Sequence, residues 1–108
     1  MTLEEVRALV RFQSAESLDA VKHGITLKEA LIEPEWIKVI DRRVKNGRTR
    51  DEDLNVWLVG KESQAEGYKI ILSEDGSTFG LASQGFKNDK APIFVGWYGN
   101  LLTTFLGM

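Results

Sequence analysis

Apolar positions in the first half of the chain recur mostly at helical spacing, whereas those of the second half alternate or run in short blocks between glycine-bearing turns. Thr2-Leu3-Glu4-Glu5 has the form of a capping box, in which a Thr hydroxyl accepts from the backbone three residues on and Glu5 reaches back. Val6, Leu9 and Val10 follow at helical spacing, so a helix of about three turns is predicted there. Leu18, Val21, Lys22 and His23 suggest a further short helix that stops at Gly24. Thr26-Leu27-Lys28-Glu29 is a second capping box, and Pro34 breaks whatever follows it. From Pro34, the spacing of Ile37, Ile40 and Val44 predicts a helix that ends at Asn46-Gly47 with Arg42, Arg43 and Lys45 in its last turn. Thr49-Arg50-Asp51-Glu52 repeats the capping pattern, but no helical stripe follows, so at most one turn is expected.

Strand grammar begins at Leu54. Residues 54–59 place Val56 and Leu58 on one face and Asn55, Trp57 and Val59 on the other, which calls for cover on both sides. Residues 68–72 and 78–82 read as hairpin partners around the turn Ser73-Glu74-Asp75-Gly76. A polar loop over residues 83–90 leads through Pro92 into a strand over 93–98, and Asn100 caps a short terminal helix. The expected fold is therefore α+β: one domain over 1–108, with N-terminal helices packed on a four-stranded antiparallel meander and a short C-terminal helix. The terminal residues Leu101, Leu102, Phe105, Leu106 and Met108 must be buried, in the chain's own core or against a partner. This grease exceeds what one layer of helices covers, so the expectation is that something else lies against the sheet.

Composition narrows the function classes. The 43% hydrophobic and 28% charged residues of this 108-residue chain are those of an ordinary globular domain. Cysteine is absent and His23 is the one histidine, so no metal site or cofactor is expected. The first residues carry neither a basic nor an apolar leader segment, and no apolar run reaches the length of a membrane span. A cytoplasmic protein that binds no membrane is the expectation. Net charge is −2, which gives little long-range attraction for nucleic acid.

Two groups of residues stand out as sites. Arg42, Arg43, Arg48 and Arg50 are anion-binding candidates, because guanidinium forks suit carboxylate and phosphate oxygens. Pairing with Asp51, Glu52 and Asp53 is their structural explanation. Trp57, Trp97, Tyr98 and Phe105 are candidates for an interface, since Trp and Tyr combine large apolar area with a polar handle. Trp57, Tyr68, Phe79, Phe86, Phe94, Trp97 and Tyr98 are accompanied on the strands only by Lys69, unlike an RNA-binding sheet. His23 has Asp19 four residues back, a local helical pair, but no nucleophile motif accompanies it. The expected function is a non-catalytic interaction module (an adaptor, a neutraliser of an effector, or a self-associating protein) whose partner is another protein or a second copy. A small-molecule domain or minor enzyme, with Arg42, Arg43 or Arg48 on an anionic group and Trp97 or Tyr98 walling the cleft, is the alternative. Nucleic-acid binding ranks third.

Overall fold

Two long strands joined by a two-residue turn organise the molecule. In the computed structural model, which describes residues 1–62, 67–84 and 90–108, β3 (Leu31–Lys45) pairs antiparallel with β4 (Arg48–Lys61) almost along its whole length. Before them come α1 (Leu3–Ser14), the small hairpin β1 (Val21–Lys22) and β2 (Ile25–Thr26), and the single turn α2 (Leu27–Ala30). After them come β5 (Tyr68–Leu72), β6 (Phe79–Ser83), β7 (Ile93–Gly99) and α3 (Leu101–Leu106). Strands β3-β4-β5-β6-β7 close into a barrel. All neighbours are antiparallel except β3 and β7, which meet in parallel at Ile40↔Ile93, where the Ile40 N–H donates to Pro92 O at 2.8 Å.

The α+β class holds, but the sheet is a five-stranded mixed barrel and not a four-stranded meander. The fifth strand is β3, where a helix from Pro34 is expected. Ile37, Ile40 and Val44 satisfy helical spacing, yet the same segment alternates, with Ile37 and Val39 on one face and Trp36, Lys38 and Ile40 on the other. Its β-branched residues favour an extended chain. Asn46-Gly47 decides between the two: both residues take positive φ, 53° and 75°, the requirement of a two-residue hairpin turn and not of a helix end. Thr49-Arg50-Asp51-Glu52 accordingly lies in β4, and no turn of helix forms there. In the same way His23 and Gly24 form the turn between β1 and β2, with φ of 53° and 79°, where a helix was expected to stop.

Barrel closure accounts for the apolar character of both sheet faces. Inside lie Val39, Val56, Leu58, Ile71 and Ala82, with Ile32, Ile37, Leu54 and Phe94 packed around them. Outside, Val6 and Val10 of α1, Leu27 and Ala30 of α2, and Leu101 and Phe105 of α3 cover Val59, Ile70, Leu72, Phe79 and Leu81. Successive strand residues serve the two cores in turn: Ile70 and Leu72 face the helices and Ile71 the lumen. Much of the expected excess of grease is thus absorbed by the sheet curling on itself, although Val95, Trp97 and Tyr98 stay exposed. Leu101, Phe105 and Met108 of the apolar tail belong to this chain's own core, whereas Leu106 is exposed.

Helix ends are fixed as the sequence indicates. Thr2 with Glu5 and Thr26 with Glu29 form complete capping boxes, and Asn100 accepts from the Thr103 N–H at 2.8 Å. The Gln13 side chain accepts from the Leu101 N–H at 2.8 Å and ties α1 to the start of α3. Between β5 and β6, Asp75 accepts from the Ser77 N–H at 3.0 Å and from the Ser73 and Ser77 hydroxyls. These donors, with Ser77 foremost, hold its carboxyl down to about 2.

Candidate functional site: a basic hairpin arm

The barrel uses only part of the β3–β4 hairpin. β4 pairs with β5 from Trp57 onward, and β3 meets β7 at Ile40, so, among the described residues, residues 41–52 pair with nothing but each other. Residues 43–53 are exposed without interruption. The result is an arm, and the molecule's longest dimension, 44 Å, is about twice its shortest, 21 Å.

Strand alternation gives the arm two distinct faces. The face continuous with the barrel lumen carries the cross-strand pairs Asp41↔Glu52, Arg43↔Arg50 and Lys45↔Arg48. Opposite residues in such a ladder sit about 5 Å apart and successive pairs on one face about 7 Å apart. Two like-charged rungs therefore follow one another at the tip. Asp41 accepts from both Arg43 Nη2, at 2.9 Å, and Arg43 Nε, at 3.2 Å, which raises the Arg43 pKa above its usual value. Arg50 lies 3.5 Å from Glu52. Among the described residues, Lys45 and Arg48 have no ion-pair partner.

The other face is neutral at the tip and ionic at its root. Val44, 74% exposed, stands opposite Thr49, and Arg42 makes a forked pair with Asp51 at 2.9 and 3.0 Å. Lys38, Ile40, Arg42, Asp51 and Asp53 line a shallow groove here with Lys90 and Ala91. Further along the same strand face, toward the barrel, Trp36 and Trp57 are cross-strand partners with ring centroids 5.1 Å apart, edge to face.

The four arginine candidates are thereby separated. Arg43, Arg48 and Arg50 share the lumen-side face with Lys45, whereas Arg42 is on the reverse face and already holds a carboxylate. Lys45, part of the same cationic run in the sequence, stands opposite Arg48 through the hairpin register. Positive charge is concentrated accordingly. Residues 42–50 contain five cations and no acid, so with a chain total of −2 all other residues together carry −7.

The aromatic candidates do not form one patch. Phe105 is core, fully buried beneath α3. Trp57 is half-buried against the helix-side core, and its indole N–H is buried with no hydrogen-bond partner. Trp97 is 40% exposed and leans on Phe94, centroids 4.9 Å apart, over the position of Gly80. Tyr98, its neighbour in the strand, faces the other way, beside Gly107 at the end of α3. Gly85 and Phe86, with most of the polar loop between β6 and β7, lie outside the described residues.

Other charged groups are tied locally. Arg7 bridges α1 to Glu33 of β3, with Nε donating at 2.7 Å. His23 pairs through Nδ1 with Glu62 at the end of β4, and not with Asp19. Lys61 and Lys69 are directly opposed, and Lys69 has its pKa lowered, first by burial and then by Lys61. Among the described residues no three His, Cys, Asp or Glu side chains converge as metal ligands, and no helix is long and apolar enough to cross a membrane. Comparison with protein-family models, with curated proteins and with solved structures finds no match to this chain.

Proposed function

We propose that this chain is a non-catalytic protein-interaction module that engages its partner through the β3–β4 arm. The observation that carries the reading is the arm itself: among the described residues, residues 41–52 pair only with each other, and they hold five of the chain's fourteen Lys and Arg residues. A two-stranded hairpin adds little stability of its own, and opposed like charges subtract from it. An element that costs stability in the free protein is accounted for by what it binds. The C-terminal half exposes Val95, Trp97, Tyr98 and Leu106 among the described residues, but Trp97 and Tyr98 face opposite ways. Cytoplasmic residence belongs to the same proposal and accords with a chain that uses no cysteine.

The anionic-ligand alternative is weaker on this geometry. Arg42 lines a groove but already satisfies Asp51 there, and Trp97 is not among the residues walling it. Removing residues 42–45 and 48–51, so that Asn46-Gly47 joins Asp41 to Glu52, tests the arm directly. The shortened protein should melt within about 4 °C of the parent, as expected for loss of surface residues. It should also fail to re-form, from purified components, a complex that the parent makes with a partner isolated on it. A shortened protein that no longer folds makes the arm a structural element, and an unchanged complex moves the interface elsewhere. Either result sinks the proposal.

A further inference from the structure

We infer that the arm's tip is a cationic plug for a narrow acidic cleft on a different protein. The inference rests on the interaction-module reading and adds the chemistry of the partner. Lys45 and Arg48 form the last rung before the turn, with Arg43 and Arg50 one rung behind. The inner pair is already partly neutralised by Asp41 and Glu52, while the outer pair is not. The attractive region is therefore short, about two rungs or 7 Å deep, and an acidic rung stands directly behind it.

Depth and the reverse face decide which polyanion fits. A nucleic-acid backbone is charged along its whole length. One lying along the arm would meet the Asp41↔Glu52 rung and then a body, residues 1–40 and 53–108, with a net charge of −4. Backbone contact would also engage one face of the tip and leave Val44 in water at 74% exposure. A cleft that accepts only the tip avoids both problems. Its carboxylates face Arg43, Lys45, Arg48 and Arg50, its other wall is apolar where Val44 and Thr49 enter, and the acidic rung stays outside. Arginine's fixed fork suits such carboxylates.

The test uses the full chain, three labelled probes and sedimentation equilibrium. The probes are an acidic peptide of about 15 residues with leucine at every third position, a polyglutamate of similar charge, and a single-stranded oligonucleotide of similar charge. At low salt the leucine-bearing peptide should bind tightest and the oligonucleotide no better than polyglutamate. K45E/R48E should weaken both peptides at least tenfold, and Val44→Ser should weaken only the leucine-bearing peptide, a few fold. The protein should stay monomeric. Tighter binding of the oligonucleotide, lost with K45E/R48E, would replace the inference with nucleic-acid recognition, and a dimer lost with K45E/R48E would replace it with self-association. Absence of binding to any acidic probe overturns the plug. A partner complex that is lost on shortening the arm but indifferent to K45E/R48E also overturns it, while leaving the interaction module intact.

Discussion

The barrel and the arm are built from the same two strands, yet they differ in everything except backbone geometry. Within the barrel, the lumen face of β3 and β4 carries Ile37, Val39, Leu54 and Val56, and a second core covers the outer face. One step further along that same face come Asp41, Glu52, Arg43, Arg50, Lys45 and Arg48. Hydrogen-bonded pairing continues without interruption across the change. Pairing alone therefore does not distinguish structure from contact surface; burial on both sides does. The body is held by apolar packing, whereas the arm is held by its ladder, its turn and the Arg42–Asp51 fork.

Substitutions should separate the two regions by size of effect. Phe105→Ala opens a cavity beneath α3 and should cost about 3–5 kcal/mol. That corresponds to a fall in Tm on the order of 20 °C or to loss of folded protein, read by calorimetry. A shift of only a few degrees would mean that α3 is not integral to the body. Gly80→Ala comes next. A Cβ there would fall against the backbone Gly96 O and 2.6 Å from Trp97 Cε3, so both the β7 backbone and the ring must move. A cost of about 1–3 kcal/mol is expected, with a changed Trp fluorescence spectrum. Gly47→Ala should matter least to the whole. Its φ of 75° strains a side chain by about 1 kcal/mol, but nothing beyond the arm depends on that turn. Hydrogen exchange should quicken over residues 41–52 while Tm barely changes. Global destabilisation by Gly47→Ala would erase the distinction drawn here.

Much of the body was legible from residue order because each segment's local preference agrees with its tertiary role. Val56 to Val59 and Ile70 to Leu72 alternate between two apolar environments, and Thr2, Thr26 and Asn100 cap the helices they precede. Closure of the sheet was not legible, because the strand that closes it satisfies two periods at once. Ile37, Ile40 and Val44 fit a helix; Ile37 and Val39 fit a strand. Asn46-Gly47 between two such runs was the available discriminator, and reading it as a helix end hid the partner strand 48–53. The site inherited that error. On a helix, Arg42, Arg43 and Lys45 crowd one end, whereas on a hairpin Arg42 turns away and Arg48 and Arg50 come alongside. The arginines themselves were identifiable from charge density alone. The buried N–H of Trp57, without a partner among the described residues, left no trace in the sequence, because burial of a single ring atom is a property of tertiary packing.

Neither strand of the arm carries a glycine or proline between the barrel rung at Trp36↔Trp57 and the turn. The arm consequently has no built-in hinge residue, and its direction is set by the ladder that leaves the barrel. Little chain entropy remains to be lost on docking, and the approaching molecule must supply the matching orientation. Docking at Arg48 would therefore load the ladder between the tip and the Trp36↔Trp57 rung, where the barrel takes over.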